Sequence, residues 1–175
     1  SKEHEQFFRD PVAYAKRYHP EKNSDDCYTP VELRTAVEEY VVQNLLPNHG
    51  KGYVIARPFW PKGNYQKYHY KKNEVVIDNP PFSITSEIVK WYQEHGIKFF
   101  LYGQGTTLFQ AGRTATSVVV DVSVSFHNGL CVNIGFISNL YKDAKISVDG
   151  KLRQIILKAM PVQLFSVAYM ARSRM

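Results

Sequence analysis

The sequence predicts a three-layer α/β domain with a mostly parallel sheet and a C-terminal antiparallel hairpin. Three stretches carry that expectation. Glu74–Ser83 reads E-V-V-I-D-N-P-P-F-S. Its β-branched run Val75, Val76 and Ile77 has the pattern of a buried parallel strand. Asp78 and Asn79 stand where that strand ends, and Pro80 and Pro81 stop the ladder because neither has an N–H to donate. The second stretch is a helix predicted over Ile84–His95, a stop at Gly96 and a strand at Ile97–Tyr102. Strand, helix and strand in that order predict a parallel pair with a right-handed crossover. The third is Ser117–Phe126, where valines alternate with polar residues, then Asn128-Gly129, then a returning strand at Leu130–Ile137. Asn-Gly between two such runs signals a two-residue hairpin turn.

The other elements follow in order. Ser1–Pro20 predicts an accessory helix, with Asp10-Pro11 as a cap and first-turn pair and Val12, Tyr14, Ala15 and Tyr18 as a partly apolar stripe. Glu21–Cys27 is a polar linker. Thr29 and Glu32 have capping-box spacing around Pro30, and Leu33, Ala36, Val37, Tyr40, Val41 and Leu45 follow the helical period, so a helix is expected from about Pro30 to Leu46. Pro47–Gly52 reads as a loop and Tyr53–Ala56 as a strand ending at Arg57-Pro58-Phe59-Trp60-Pro61. Ser83, Thr85 and Ser86 are alternative caps for the helix over Ile84–His95, whose buried positions should be Ile88, Val89, Trp91 and Tyr92. Gly103–Thr107 either lines a pocket or serves as a flexible connector. Near the C-terminus, Asp149-Gly150 marks a turn, Leu152, Ile155, Ile156 and Met160 suggest a short helix, Pro161 opens an apolar stretch through Tyr169, and Arg172 and Arg174 are basic.

The 175 residues suit one domain, divided into an accessory segment 1–26, a core 27–140 and an extension 141–175. A net charge of +6 favours an anionic partner, nucleic acid first. Two cysteines, Cys27 and Cys131, are too few for a disulfide framework. The six histidines show no metal-ligand spacing, so no metal is expected. No apolar run reaches membrane-spanning length and no signal peptide is evident, so a reducing cytoplasm is the expected location and no membrane partner is expected.

In open α/β sheets ligands bind just outside the carboxyl ends of strands. Asn79-Pro80-Pro81-Phe82 stands at such an end and resembles the catalytic motif of S-adenosylmethionine-dependent amino-methyltransferases, in particular the N6-adenine DNA methyltransferases. Tyr28-Thr29-Pro30, opening a helix upstream, is similar to the first motif of many of them, where the turn closes over the cofactor. Phe126–Leu140 resembles the corresponding stretch of phage-type and restriction-type enzymes.

The resemblance implies methyl transfer from S-adenosylmethionine to the N6 amine of an adenine flipped out of DNA. Asn79 and the Pro80 carbonyl would hold the amine, Pro81 would stiffen the turn, and Phe82 would stack on the base. Tyr28, Thr29, Pro30, Arg57, Pro58, Phe59 and Asp78 would fall on the cofactor side. Lys62, Tyr65, Lys67, Tyr68, Lys71 and Lys72 mix charge and aromatic faces as a nucleic-acid contact would, or form a solvated loop whose tyrosines pack back on the sheet.

The sequence departs from the family in two places. No glycine-rich loop follows Tyr53–Ala56, and only about a dozen residues separate its closing turn, Arg57–Pro61, from Val75, too few for the further strand-helix unit of a full domain. The motif also serves methylation of RNA bases and of protein glutamine. A non-catalytic nucleic-acid-binding module on a degenerate methyltransferase fold is the rival. Sequence specificity would come from loops, from a partner subunit such as a second copy in a homodimer, or from a separate recognition domain.

Overall fold

The computed structural model describes residues 1–18, 28–105, 108–111, 115–126, 131–142 and 145–160. Its centre is a six-stranded mixed sheet in the order β1-β2-β3-β5-β4-β6. The strands are β1 (Val54–Ala56), β2 (Glu74–Asp78), β3 (Lys98–Gln104), β4 (Thr116–Ser125), β5 (Cys131–Ser138) and β6 (Ile146–Val148). β1, β2 and β3 run parallel, with Ala56 opposite Val76 and Asp78 opposite Leu101. β5 is antiparallel to both β3 and β4, and β6 returns parallel to β4.

Six helices accompany the sheet among the described residues: α1 (Lys2–Arg9), α2 (Pro11–Tyr18), α3 (Val31–Asn44), α4 (Thr85–Glu94), the short α5 (Leu108–Ala111) and α6 (Gly150–Ala159). The period-2 alternation of the strands sends their side chains to two cores. On one face Val75, Ile77, Phe100, Tyr102 and the valines of β4 meet Leu33, Val37 and Val41 of α3 and Leu152 and Ile156 of α6. On the other, Val76, Phe99, Leu101 and Ile137 meet Ile88, Val89 and Tyr92 of α4 and Leu108 of α5. The architecture is therefore α/β, with helices on both faces of a mixed sheet. A third, smaller cluster joins Phe7, Tyr14 and Tyr28.

Several local expectations are corrected. The accessory helix is two helices, because Asp10 caps the second through its Oδ1, which accepts from Ala13 N–H at 3.0 Å, and Pro11 cannot continue the first. Thr29 and Glu32 form no capping box; Pro30 precedes Val31 without a side-chain cap. None of Ser83, Thr85 and Ser86 caps α4. A single turn of 3₁₀-helix at Phe82–Ile84 leads into it, and Thr85 is buried inside, its hydroxyl donating to the carbonyls of Pro81 (3.3 Å) and Phe82 (3.2 Å). Trp91 is half-buried and stacks on His95, with ring centres 3.9 Å apart. Gly96 ends α4 with φ +65°, which a residue with a Cβ rarely adopts.

Asp149 is not in a turn. It caps α6, its Oδ1 accepting from Leu152 N–H at 2.8 Å while its Oδ2 accepts from the hydroxyls of Tyr40 and Tyr141. β6 has no counterpart in the sequence reading. The Asn128-Gly129 turn, the Glu21–Cys27 linker, Thr106-Thr107, the Pro161–Tyr169 stretch, Arg172 and Arg174 lie outside the described residues.

The connection from β1 to β2 departs most from an ordinary α/β unit. Two parallel neighbours are usually joined by a helix, yet residues 57–73 hold none. Phe59, Tyr65, Tyr68 and Tyr70 instead pack onto the second core beside Trp91. Tyr70 Oη lies 2.8 Å from Tyr92 Oη and donates to the Tyr65 carbonyl at 2.8 Å. Gly63 is required here, since a Cβ would meet the Pro58 carbonyl at 2.3 Å.

Candidate functional site

β1, β2 and β3 end side by side, and a cavity of about 430 Å³ opens at their carboxyl ends. Ile77, Asp78 and Asn79 reach it from β2, and Tyr102 from β3. Phe59, Trp60 and Tyr65 come from the connector. Thr29 and Arg34 flank the start of α3, and Phe7, Phe8 and Pro11 belong to the α1–α2 pair.

That pair is fastened to the site by polar links. His4 Nε2–H donates to the Arg57 carbonyl at 2.9 Å, and Lys62 pairs with Glu3 at 2.8 Å. An Arg34 guanidinium N–H donates to the Phe8 carbonyl at 2.6 Å. The guanidinium carbons of Arg34 and Arg57 sit 5.5 and 5.8 Å from the Phe8 ring centre, in cation–π range.

Asp78 is 6% exposed. Phe59 N–H donates to its Oδ2 at 2.8 Å and Asn79 N–H to its Oδ1 at 2.9 Å. Burial pushes its carboxyl up to about 8, against those two donors and the Arg57 charge. Desolvation of the charged form outweighs the hydrogen bonds, so Asp78 is mostly a neutral acid at pH 7.

Glu38 is held by Arg57, Nε at 2.8 Å and a terminal nitrogen at 2.7 Å, while Arg34 Nε stands 4.0 Å away. Burial lowers the Arg34 pKa, opposed by Glu38. Two hydroxyls of residues that line the cavity, Thr29 Oγ1 and Tyr102 Oη, are buried with no hydrogen-bond partner. Burial and then the charge of Glu38 hold the Tyr102 phenol well above its usual range, so it stays protonated.

The residues singled out in the sequence divide. Tyr28, Thr29, Phe59, Tyr65, Asp78, Asn79 and Pro81 line the cavity, and the Asn79 Oδ1 is buried. Pro80 is buried behind the wall, and Phe82 packs against the larger core. Pro30 and Pro58 are buried supports, and Arg57 faces Glu38. In the basic-aromatic stretch the tyrosines point inward, whereas Lys67, Lys71 and Lys72 are exposed.

Comparison with protein-family models, with curated proteins and with solved structures finds no match.

Sequence reasoning missed Phe7, Phe8, Arg34, Trp60 and Tyr102. Two of them had a usable signal. Tyr102 ends a parallel strand beside β2, where the strand-end rule already pointed. Arg34 interrupts the buried side of an amphipathic helix with a charge. Phe7 and Phe8 gave no such signal, because only the tertiary structure brings α1 to the cavity.

A volume of about 430 Å³ and a lining that includes Phe7, Phe8, Phe59, Trp60 and Tyr65 suit flat, nucleoside-like groups. The polar residues of the lining include the amide of Asn79, the neutral acid Asp78, the hydroxyls of Thr29 and Tyr102 and the cation Arg34. Among the described residues no cluster of His, Cys, Asp or Glu could hold a metal ion, and no helix is long and apolar enough to cross a membrane.

Proposed function

We propose that this chain transfers a methyl group from S-adenosylmethionine to an exocyclic amine, with the N6 amine of adenine in DNA as the target. The observation that carries the reading is Asn79, whose amide oxygen is buried in the wall of the cavity at the carboxyl end of β2 and is followed at once by two prolines. An adenine amine is a weak nucleophile because its lone pair is delocalised into the ring. Acceptance of its two N–H groups by Asn79 Oδ1 and the Pro80 carbonyl would favour a pyramidal nitrogen with an available lone pair. Pro80 and Pro81 fix that carbonyl so that little reorganisation is needed. Phe82 packs on the core, so stacking on the heterocycle falls to Phe59, Trp60 or Tyr65.

The cofactor supplies an electrophilic methyl group when bound. No glycine-rich loop follows β1 to cradle it, and the Phe59 N–H just past β1 is already engaged by Asp78. The donors left to hold it are side chains, and the buried hydroxyls of Thr29 and Tyr102 fit that need. The antiparallel β5 among the last strands also accords with the methyltransferase resemblance.

A second reading, a nucleic-acid-binding module without methyl transfer, is favoured by the direct passage from β1 to β2 without a helix and by the exposed Lys67, Lys71 and Lys72. Transfer of labelled methyl from S-adenosylmethionine to duplex DNA separates the two. Incorporation at adenine that Asn79→Ala lowers at least a hundredfold, with Tm unchanged, supports catalysis. No transfer and no cofactor binding at millimolar concentration by folded protein would refute it.

A further inference from the structure

We infer that Arg34 and the Tyr102 hydroxyl form a subsite for an anionic oxygen group, carboxylate or phosphate, in this cavity. The inference is drawn from the charges and donors around Glu38; it rests on the proposed methyl transfer where the anion is the cofactor's carboxylate and stands apart from it where the anion is a phosphate.

Two arginines share one carboxylate there. Glu38 is committed to Arg57 through contacts of 2.7 and 2.8 Å, and Arg34 is left at 4.0 Å. Their side chains are only 17% (Arg34), 13% (Glu38) and 29% (Arg57) exposed, so solvent does little to offset the imbalance. The other acid at the cavity, Asp78, is kept mostly neutral by burial. Two guanidinium groups therefore share one carboxylate, Arg34 holds the longer and weaker contact, and a charge withdrawn from water with an incomplete partner is unfavourable.

Tyr102 is 1% exposed, lines the same cavity and has no partner for its hydroxyl. A buried hydroxyl left unsatisfied is costly, and a native structure that keeps one needs a reason. Arg34 has donors only, and Tyr102, held as a neutral phenol, can donate as well. Arg34 and Tyr102 line the same cavity and lie near enough to feel each other's charge, so two donors, one of them cationic, select an acceptor, and a charged oxygen group answers both needs at once. Phe59, Trp60 and Tyr65 of the same cavity then take the flat part of the ligand.

The test uses calorimetry with two matched pairs of adenine compounds and inorganic phosphate. Adenosine monophosphate against adenosine reports a phosphate. S-Adenosylhomocysteine against 5′-methylthioadenosine reports the amino-acid end with its carboxylate. The charged member of one pair should bind wild type at least about tenfold more tightly than its neutral mate, the strength of a charged hydrogen bond. The pair that shows the gain identifies the source of the anion. Tyr102→Phe and Arg34→Gln should each remove most of that gain.

Tyr102→Phe should leave the Tm of the ligand-free protein unchanged or raised, which keeps the test sound if Arg34→Gln loosens α1 through the lost bond to Phe8. No gain in either pair, a gain that survives both variants, or a fall in Tm with Tyr102→Phe would each overturn the subsite. A phosphate gain without S-adenosylmethionine binding would sink the methyl-transfer reading and leave the subsite standing. If no adenine compound binds, protection of wild type but neither variant by inorganic phosphate in thermal unfolding sustains the subsite; equal or absent protection removes it.

Discussion

Replacing Asp78 by Asn should change how stability depends on pH more than it changes stability itself. The native carboxyl titrates at about 8 against an ordinary 3.8. Between those values the unfolded chain has released the proton that the native chain still holds. Native protein then binds more protons than unfolded protein, so stability falls as pH rises through that window. Below about pH 4 both states are protonated and above about pH 8 both are ionised, and the contribution is flat. Each pH unit of separation corresponds to about 1.4 kcal/mol, so the full swing is on the order of 6 kcal/mol. That is a large fraction of a typical domain's stability of about 5–15 kcal/mol.

The variant has no proton to lose, but its amide offers one acceptor where the carboxyl offers two. Either Phe59 N–H or Asn79 N–H would face an NH₂ group, at a cost of about 1–3 kcal/mol. Asp78→Asn should therefore be less stable than wild type at about pH 4 and more stable at about pH 8.5, with the crossing between. Urea unfolding of both proteins at half-unit steps from about pH 4 to 9 would show the crossing. Parallel profiles within about 0.5 kcal/mol would mean that the two N–H donors and Arg57 outweigh desolvation and that Asp78 ionises in its normal range.

Gly135→Ala should destabilise by about 1–3 kcal/mol or more, because a Cβ there would fall 2.3 Å from Leu108 Cδ1 and 2.8 Å from the Val118 carbonyl; a Tm within a degree of wild type would contradict the packing of α5 on β5. Tyr70→Phe should cost more than Tyr92→Phe, as urea unfolding would measure. The first strands the fully buried Tyr92 hydroxyl, whereas the second leaves Tyr70 bonded to the Tyr65 carbonyl. If the chain binds DNA through its exposed lysines, replacing Lys67, Lys71 and Lys72 together by Ala should lower the slope of log affinity on log salt by up to about 3 while cofactor affinity stays constant; an unchanged slope would exclude that surface.

Legibility in the sequence followed the range of the forces involved. β2 and β3 are readable as short unbroken apolar runs buried on both faces, α3 and α4 because burial of one side imposes a period on consecutive residues, and Gly96 because a single backbone angle demands it. The N-caps were not. Thr85 had the side chain of a cap but is drawn inward, where its hydroxyl holds the carbonyls of Pro81 and Phe82. β6 escaped because three residues, two of them exposed, carry no period. The polar groups of the site were half legible. Asp78 and Asn79 are marked by the strand end, but the shortfall of charge beside Arg34 exists only because Arg57, 23 positions away by number, takes Glu38 for itself.

The missing helix between β1 and β2 and the presence of the cavity have one physical origin. A parallel pair needs its face covered, and residues 57–73 cover it with aromatic rings. Phe59, Tyr65 and Tyr92 lie about one another at 5.8 to 6.4 Å, and Tyr65 meets Trp91 edge-on at 5.5 Å. Rings give large buried area per residue without the repeated backbone hydrogen bonds of a helix. They therefore cover the sheet from a chain that remains free to fold over the strand ends. Phe59 and Tyr65 thus serve twice, as core against α4 and as cavity wall beside Asn79. A helix in that place would seal the sheet face with its flank and leave the wall to a separate loop. In this chain the cover and the wall are one segment, so the rigidity of the second core is transmitted directly to the site.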